Sequence, residues 1–179
     1  FLPLAGGYDD KVNSYSHAAG EVLLPHVLGM SYPELQNSCT PLQRIADHCE
    51  LLVAFGGIPL RTAQIQSGGV GAHVVRGLLD QAVANGTRFV NVSPVRTDLH
   101  VEAEWIPCRP GSDVAIILGM LHTLIDEGLV GEEFLAAHTV GWERLRDYVV
   151  GSTPKTADWA SEISWVPAAR IRELAREAA

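Results

Sequence analysis

Two short, largely apolar runs in the chain are each followed directly by turn-forming residues. Leu51–Phe55 leads into Gly56-Gly57, and Arg88–Val92 leads into Ser93-Pro94. A short run of this kind, without strict polar alternation, is typical of a parallel strand that is buried on both faces. The pattern therefore predicts two strands of a parallel sheet, each ending in a loop.

A third, shorter strand is predicted over Glu104–Cys108. Pro107 lacks the backbone N–H that a central ladder requires, so this strand is expected at an edge of the sheet. The intervening segment Val95–Ala103 is compatible with a helix.

Helical periodicity occupies most of the remaining chain. The clearest helix begins at Asp113, has Ser112 as its predicted cap and carries an apolar stripe as far as Gly128. Near the beginning, a helix capped by Ser14 or Ser16 is expected to end or kink at Pro25. Shorter helices are predicted from Pro41 to near Cys49 and over Ala72–Ala84, Glu132–His138, Trp142–Val149, Thr156–Glu162 and Pro167–Ala179.

Strands and helices thus alternate through the middle of the chain. This alternation predicts a three-layer, Rossmann-like α/β sandwich with a parallel sheet, followed by a helical C-terminal part. In such sheets ligands bind outside the carboxyl ends of the strands. The three loops that follow the predicted strands are therefore the candidate sites.

Composition narrows the classes of partner. A formal net charge of −8 over 179 residues opposes nucleic acid and anionic membranes as partners. No apolar run approaches the roughly 20 residues of a membrane span. The three cysteines form no CxxC pair and are expected to be free thiols, and the seven histidines show no metal-ligand spacing. We predict no metal site within this chain and a small molecule or protein as partner.

The first candidate loop combines Gly56-Gly57 with Arg61 and Thr62. Glycine lets a phosphate approach the backbone because no Cβ stands in the way, and the two side chains add a cation and a hydroxyl. The glycine pair is equally compatible with an ordinary tight turn. It is neither the GxGxxG fingerprint nor a P-loop.

The second and third loops carry acids and hydroxyls. Ser93-Pro94 and Asp98 follow the second strand, where a carboxylate often holds a ribose, although a turn and a helix cap explain them equally well. Gly111, Ser112 and Asp113 stand at a helix N-terminus, which suits a phosphate. The Asp113 carboxylate also matches the N–H donors of guanine. The alternative is a capping motif without a ligand.

These loops, in this order, carry a resemblance to a known family. LLVAFGGIPLRT at 51–62, NVSPVRTD at 91–98 and EWIPCRPGSDVAIILGM at 104–120 resemble molybdopterin oxidoreductases of the dimethyl sulfoxide reductase family. The opening GGYDDKVNSYSHAAGEVLLPHVLG at 6–29 is most similar to the branch of trimethylamine N-oxide, dimethyl sulfoxide and biotin sulfoxide reductases. The resemblance extends over nearly the whole chain.

The resemblance implies a bis(molybdopterin guanine dinucleotide) cofactor with molybdenum. It also implies reduction of an S-oxide or N-oxide by oxygen-atom transfer, a redox donor protein, and further domains of a parent chain. Residues 1–32 would belong to a neighbouring α/β domain, and residues 33–179 would form the dinucleotide-binding domain with its C-terminal helices. By the match, the cofactor-binding residues are Gly56, Gly57, Pro59, Ser93, Pro94, Asp98, Gly111, Ser112 and Asp113.

The match has departures and open points. Ile58 stands where the family usually has Asn, which removes one polar contact to the cofactor. The serine metal ligand of this branch would lie upstream of Phe1, so we expect an internal fragment that is inert alone. Tyr15 is a candidate for hydrogen bonding near the metal pocket, or else packs in a capped helix. The compartment, cytoplasm or periplasm, stays open.

Two rival functions follow from the same residues. The chain is also compatible with a nucleotide-binding module unrelated to redox chemistry. Alternatively, the parent is a scaffold subunit that has lost its metal ligand.

Overall fold

The computed structural model describes residues 2–9, 17–63 and 73–179. Contacts between Cα atoms divide the chain into two compact units, Phe1–Pro41 and Leu42–Ala179. The domain boundary near residue 32 stays a prediction. All three candidate loops lie in the second unit.

The first unit contains a 3-10 turn, Leu2–Ala5, and two helices, α1 (Ala18–Leu28) and α2 (Tyr32–Ser38). Helix α1 passes through Pro25 and ends at Leu28, rather than ending at the proline. Because none of its residues is buried, water can hydrate the carbonyl that Pro25 leaves without a partner. Helix α2 was not predicted, although Ser31 and Glu34 form a capping box at its start.

The second unit is built on three parallel strands in the order β1-β2-β3. Strands β1 (Leu51–Phe55) and β2 (Arg88–Val92) have the predicted bounds. Strand β3 (Glu104–Ile106) lies at an edge of the described sheet, as predicted, and ends two residues earlier than expected.

Side chains alternate between the two faces of the sheet, and each face has its own hydrophobic cluster. Val90, Val92 and Ile106 pack on one face with helices that follow the sheet. Phe89 packs on the other face with Ala46 and Leu79 from helices that precede β2 along the chain. The predicted three-layer α/β arrangement is confirmed.

Helices cover both faces of the sheet. Their bounds are α3 Leu42–His48, α4 Leu60–Ala63, α5 Val75–Ala84, α6 Asp113–Asp126, α7 Glu132–His138, α8 Trp142–Val150, α9 Ala157–Ser164 and α10 Ala168–Glu177. The short helix α4 was not predicted. The expected helix over 95–103 is wrong, because this segment contains only a 3-10 turn, Arg96–Asp98. Within the described ranges, no helix is long and apolar enough to cross a membrane.

Candidate functional site at the carboxyl edge of the sheet

The three predicted loops lie at one edge of the sheet. Because β1, β2 and β3 are parallel, their carboxyl ends meet there. The loops are 56–59 after β1, 93–98 after β2 and 107–112 after β3. This is the edge at which open α/β sheets bind their ligands.

The first loop turns through two glycines in the left-handed conformation. Gly56 has φ +79° and Gly57 has φ +72°, values that other residues adopt only with strain. The Gly56 N–H donates to the Val92 carbonyl at the end of β2. Pro59 ends the loop, and its carbonyl accepts hydrogen bonds from the N–H and the hydroxyl of Thr62.

The first and second loops are in direct contact. The Ile58 N–H donates to the Asp98 carbonyl at 2.7 Å. A Cβ added at Gly57 would lie 2.6 Å from both Cβ and O of Asp98. Gly57 is therefore required by the neighbouring loop, because any side chain there would displace Asp98.

Asp98 connects the two loops through its carboxylate. Arg61 Nη2 lies 2.9 Å from Asp98 Oδ1, and the hydroxyl of Ser93 makes a long contact of 3.5 Å with Oδ2. The Asp98 side chain is 11% exposed and that of Arg61 is 68% exposed. Asp98 is thus a nearly buried carboxylate with an exposed guanidinium as its counter-ion. It caps no helix, contrary to one sequence interpretation.

Ser93 is buried and fixes the second loop on the sheet. Its hydroxyl accepts the Val95 N–H at 3.1 Å, its own N–H donates to the Ile106 carbonyl, and its carbonyl accepts the indole N–H of Trp105 at 2.8 Å. Pro94 is exposed beside it. Trp105 therefore positions Ser93, a role that no local sequence signal indicates.

The third loop presents an acid at the start of α6. Gly111 turns the chain with φ +77°, and Asp113 is the first residue of the helix. In the described ranges no hydrogen bond or ion pair occupies the half-buried Asp113 carboxylate. Ser112 stands at the predicted N-cap position, but its hydroxyl makes no capping hydrogen bond: it donates to the Arg109 carbonyl at 2.6 Å and accepts no helix N–H.

Charge at this edge is mixed. Each loop region contributes one exposed arginine, namely Arg61, Arg96 and Arg109, although the chain has a net charge of −8. Arg109 also lies 5.7 Å above the ring of Trp165. Burial raises the pKa of the Cys108 thiol, and the Asp113 carboxylate raises it further, so Cys108 is a poor nucleophile.

A pocket of about 390 Å³ lies beside the second loop, under the connection from β2 to β3. Asn91 and His100 are among the residues that line it, and among the described residues Asn91 Oδ1 and His100 Nδ1 have no hydrogen-bond partner. Both atoms are buried, so they are not exposed to a ligand in the pocket. We therefore place the candidate site at the three loops.

The candidate Tyr15 lies outside the described residues. Among the residues that the structure does describe, no group of three or more His, Cys, Asp or Glu is arranged to hold a metal ion.

The fold and the loops define a parallel α/β protein of the class that binds its ligand at the carboxyl edge of the sheet. The family model for molybdopterin oxidoreductases matches residues 4–157. The chain belongs to the molybdopterin oxidoreductase family. Membership implies molybdopterin and molybdenum as the cofactor class.

Individual relatives agree with this membership. The chain is 41% identical over 179 residues to the biotin sulfoxide reductase of Cereibacter sphaeroides, covering 97% of this chain and 24% of the relative. It is 40% identical over 181 residues to the dimethyl sulfoxide/trimethylamine N-oxide reductase of Rhodobacter capsulatus, covering 98% and 22%. The chain thus spans roughly a quarter of the length of these relatives.

Among solved structures, the chain is similar to the acetylene hydratase from Pelobacter acetylenicus. The TM-score is 0.53 at 25% identity, over 75% of this chain and 18% of the hydratase.

Proposed function

We propose that this chain binds the guanine dinucleotide end of a bis(molybdopterin guanine dinucleotide) cofactor in a molybdenum-dependent reductase of S-oxides or N-oxides. The observation that carries the proposal is the contact between the first two loops at the carboxyl edge. There a glycine turn, an exposed arginine and a buried carboxylate come together within hydrogen-bonding distance.

The residues present fit a dinucleotide. Apart from its own residue and its chain neighbours, a Cβ added at Gly56 or at Gly111 would meet no heavy atom of the described residues within 4 Å, so the backbone at both turns is open to a ligand. Phosphate oxygens need cations and N–H donors, and each loop region has an arginine. Guanine presents N–H donors, and the half-buried Asp113 carboxylate can accept them.

We assign roles to the loops on this basis. Gly56, Gly57 and Pro59 would shape the turn that faces the phosphates. Ser93, Pro94 and Asp98 would form the wall that adjoins this turn. Gly111, Ser112 and Asp113 would hold the base, with Asp113 as the residue that distinguishes guanine.

The substitution of Ile58 for the polar residue usual at this position has a packing explanation. Its side chain packs against the hydrophobic cluster on the α5 face of the sheet, and its N–H is bonded to Asp98. The packing and this hydrogen bond account for Ile58 within the loop, so Ile58 by itself gives no support to a scaffold subunit that has lost its metal ligand.

The cofactor, when bound, supplies the molybdenum chemistry that removes oxygen from an S-oxide or N-oxide, and a redox donor protein would restore the electrons. The relatives are named for biotin sulfoxide, dimethyl sulfoxide and trimethylamine N-oxide. Other parts of the enzyme would provide the metal pocket. The residues of this chain bind and orient the dinucleotide.

The activity test uses the intact protein that contains this chain, purified from a host that makes the cofactor. We expect oxidation of reduced viologen on addition of dimethyl sulfoxide, trimethylamine N-oxide or biotin sulfoxide. A folded, molybdenum-loaded protein that turns over none of these oxides would contradict the substrate class.

The site test compares two aspartates of helix α6. Asp113→Asn places an amide where guanine donors are expected, so we predict about tenfold weaker retention of guanine dinucleotide. Asp126→Asn, at the other end of the same helix, is the control and should retain the cofactor. Equal retention in both variants, measured as GMP released by acid hydrolysis, would remove Asp113 from the site.

A further inference from the structure

The first loop has few backbone donors left for a phosphate. The N–H of Gly56 donates to the Val92 carbonyl at 2.9 Å, and the N–H of Ile58 donates to the Asp98 carbonyl at 2.7 Å. Phosphate-binding loops usually rely on free backbone N–H groups. In this loop a side chain must supply much of the recognition.

Arg61 is the first cationic residue after this loop in the sequence. One of its nitrogens, Nη2, donates to Asp98 Oδ1 at 2.9 Å. In the part of the chain that the structure describes, this carboxylate is the only partner of the Arg61 guanidinium. A guanidinium has five N–H donors, and the side chain is 68% exposed, so most of its donors face outward.

Asp98 is held firmly while Arg61 is not. The Asp98 backbone accepts the Ile58 N–H, its Cβ abuts Gly57, and its second oxygen faces the Ser93 hydroxyl. A long arginine side chain loses conformational entropy when it binds an anion. Its attachment to a fixed, nearly buried carboxylate reduces that loss before any ligand arrives.

We infer that Arg61 is the residue that recognises the diphosphate of the dinucleotide, and that Asp98 is a positioning residue that orients its guanidinium. This inference rests on the proposed function. The Arg61 side chain would contact the phosphates, and Asp98 would act on the ligand only by orienting Arg61.

The test measures binding of GDP and of guanosine to the intact, cofactor-free protein by calorimetry. We expect Arg61→Gln to weaken GDP binding about tenfold or more and to leave guanosine binding unchanged, because a charge-assisted contact is lost only for the phosphate-bearing ligand. Arg61→Lys keeps the charge without the planar fork, so it should restore part of the affinity.

The matched control is Arg88→Gln. Arg88 begins β2 at the opposite edge of the sheet and is paired with Glu177 at 2.6 Å, so the variant removes the same charge far from the loops. Its GDP affinity should equal that of the unmodified protein. Thermal unfolding of every variant checks that the fold is retained.

The role of Asp98 is tested with Asp98→Asn and the double variant. A positioning role predicts weaker GDP binding, unchanged guanosine binding, and no additional loss when Asp98→Asn is combined with Arg61→Gln. An equal loss for guanosine would overturn the positioning role and place Asp98 at the ribose instead.

The outcomes separate this inference from the proposal on which it rests. If the protein binds GDP and Arg61→Gln binds it equally well, Arg61 is not the phosphate residue and the proposed site stands. If the unmodified, folded protein binds neither GDP nor guanosine, the proposed site and the role of Arg61 both fail.

Discussion

At the scale of single residues, the two neighbouring glycines of the first loop are glycines for different physical reasons. The sequence suggested close approach of a ligand for both Gly56 and Gly57. In the structure Gly57 is required by Asp98, whose Cβ and carbonyl oxygen occupy the place of a side chain, whereas Gly56 faces open space. This difference could not be predicted, because it depends on a contact between residues 41 positions apart.

The two glycines give a matched pair of variants. Gly56→Ala should cost about 1–2 kcal/mol, the penalty of a side chain in the left-handed region. Gly57→Ala should cost more, because it adds a collision with Asp98 to the same penalty. Chemical denaturation measures both. Equal losses in the two variants would show that the contact with Asp98 yields at little cost.

Ser112 shows a second limit at this scale. Its position before an apolar helix predicts a cap, yet its hydroxyl donates to the Arg109 carbonyl. The choice between these partners depends on the conformation of the loop, which turns at Gly111 with φ +77°. A hydroxyl that can bond either the helix or its own loop cannot be assigned from residue type alone.

At the scale of elements, the sequence predicted the bounds of an element correctly where a short apolar run marks a strand that is buried on both faces. The apolar runs of β1 and β2 gave the correct bounds, since both strands are covered on two faces. The prediction failed for short elements, because a few residues carry too little periodicity to indicate a helix or to exclude one. Helix α4 has four residues, and the segment after Asp98 follows the sheet surface without becoming helical. The capping box of α2 is visible in the sequence as Ser31 and Glu34.

Alanine substitutions at one glycine in α6 and one in α5 test how closely these helices pack against their neighbours. A Cβ at Gly119 of α6 would lie 2.7 Å from Cβ of Ala160 in α9, so Gly119→Ala should destabilise the protein by about 1–3 kcal/mol. A Cβ at Gly77 of α5 would contact no described residue within 4 Å outside the nearby backbone of its own helix. Gly77→Ala should therefore stabilise it by up to about 1 kcal/mol. Thermal unfolding compares the two, and a stabilising Gly119→Ala would contradict the close contact of α6 and α9.

At the scale of the whole second unit, the site and the main ion-pair network lie at opposite edges of the sheet. Arg170 of α10 holds Glu104, the first residue of β3, at 2.5 and 2.8 Å. It also holds Glu177, which Arg88 at the start of β2 contacts at 2.6 Å. The network attaches the last helix to the edge where the strands begin, while three exposed arginines lie at the edge where the strands end.

The network predicts a pH-dependent effect on stability. Hydrogen bonds from Arg88 and Arg170 hold the pKa of Glu177 below its usual range. A carboxylate with a lowered pKa in the folded state contributes stability above its ordinary pKa and loses it as the pH falls through the folded value.

Arg170→Ala should therefore lower the free energy of unfolding by about 1–2 kcal/mol at pH 7, a modest loss because solvent screens the partly exposed network. The difference from the unmodified protein should shrink below about pH 4. Arg146→Ala, which breaks an exposed pair of 3.8 Å, is the control and should change little. A difference that persists unchanged at pH 3 would indicate that packing, not charge, explains the loss.

The central claim is that this chain binds the guanine dinucleotide end of a molybdenum cofactor. The most direct measurement is the content of molybdenum and of GMP released by acid hydrolysis, per chain, in the intact protein from a host that makes the cofactor. We expect one molybdenum and two GMP per chain, the composition of a bis(molybdopterin guanine dinucleotide) centre. Molybdenum without GMP would contradict the role of the three loops, and a folded protein with neither would contradict the proposed enzyme.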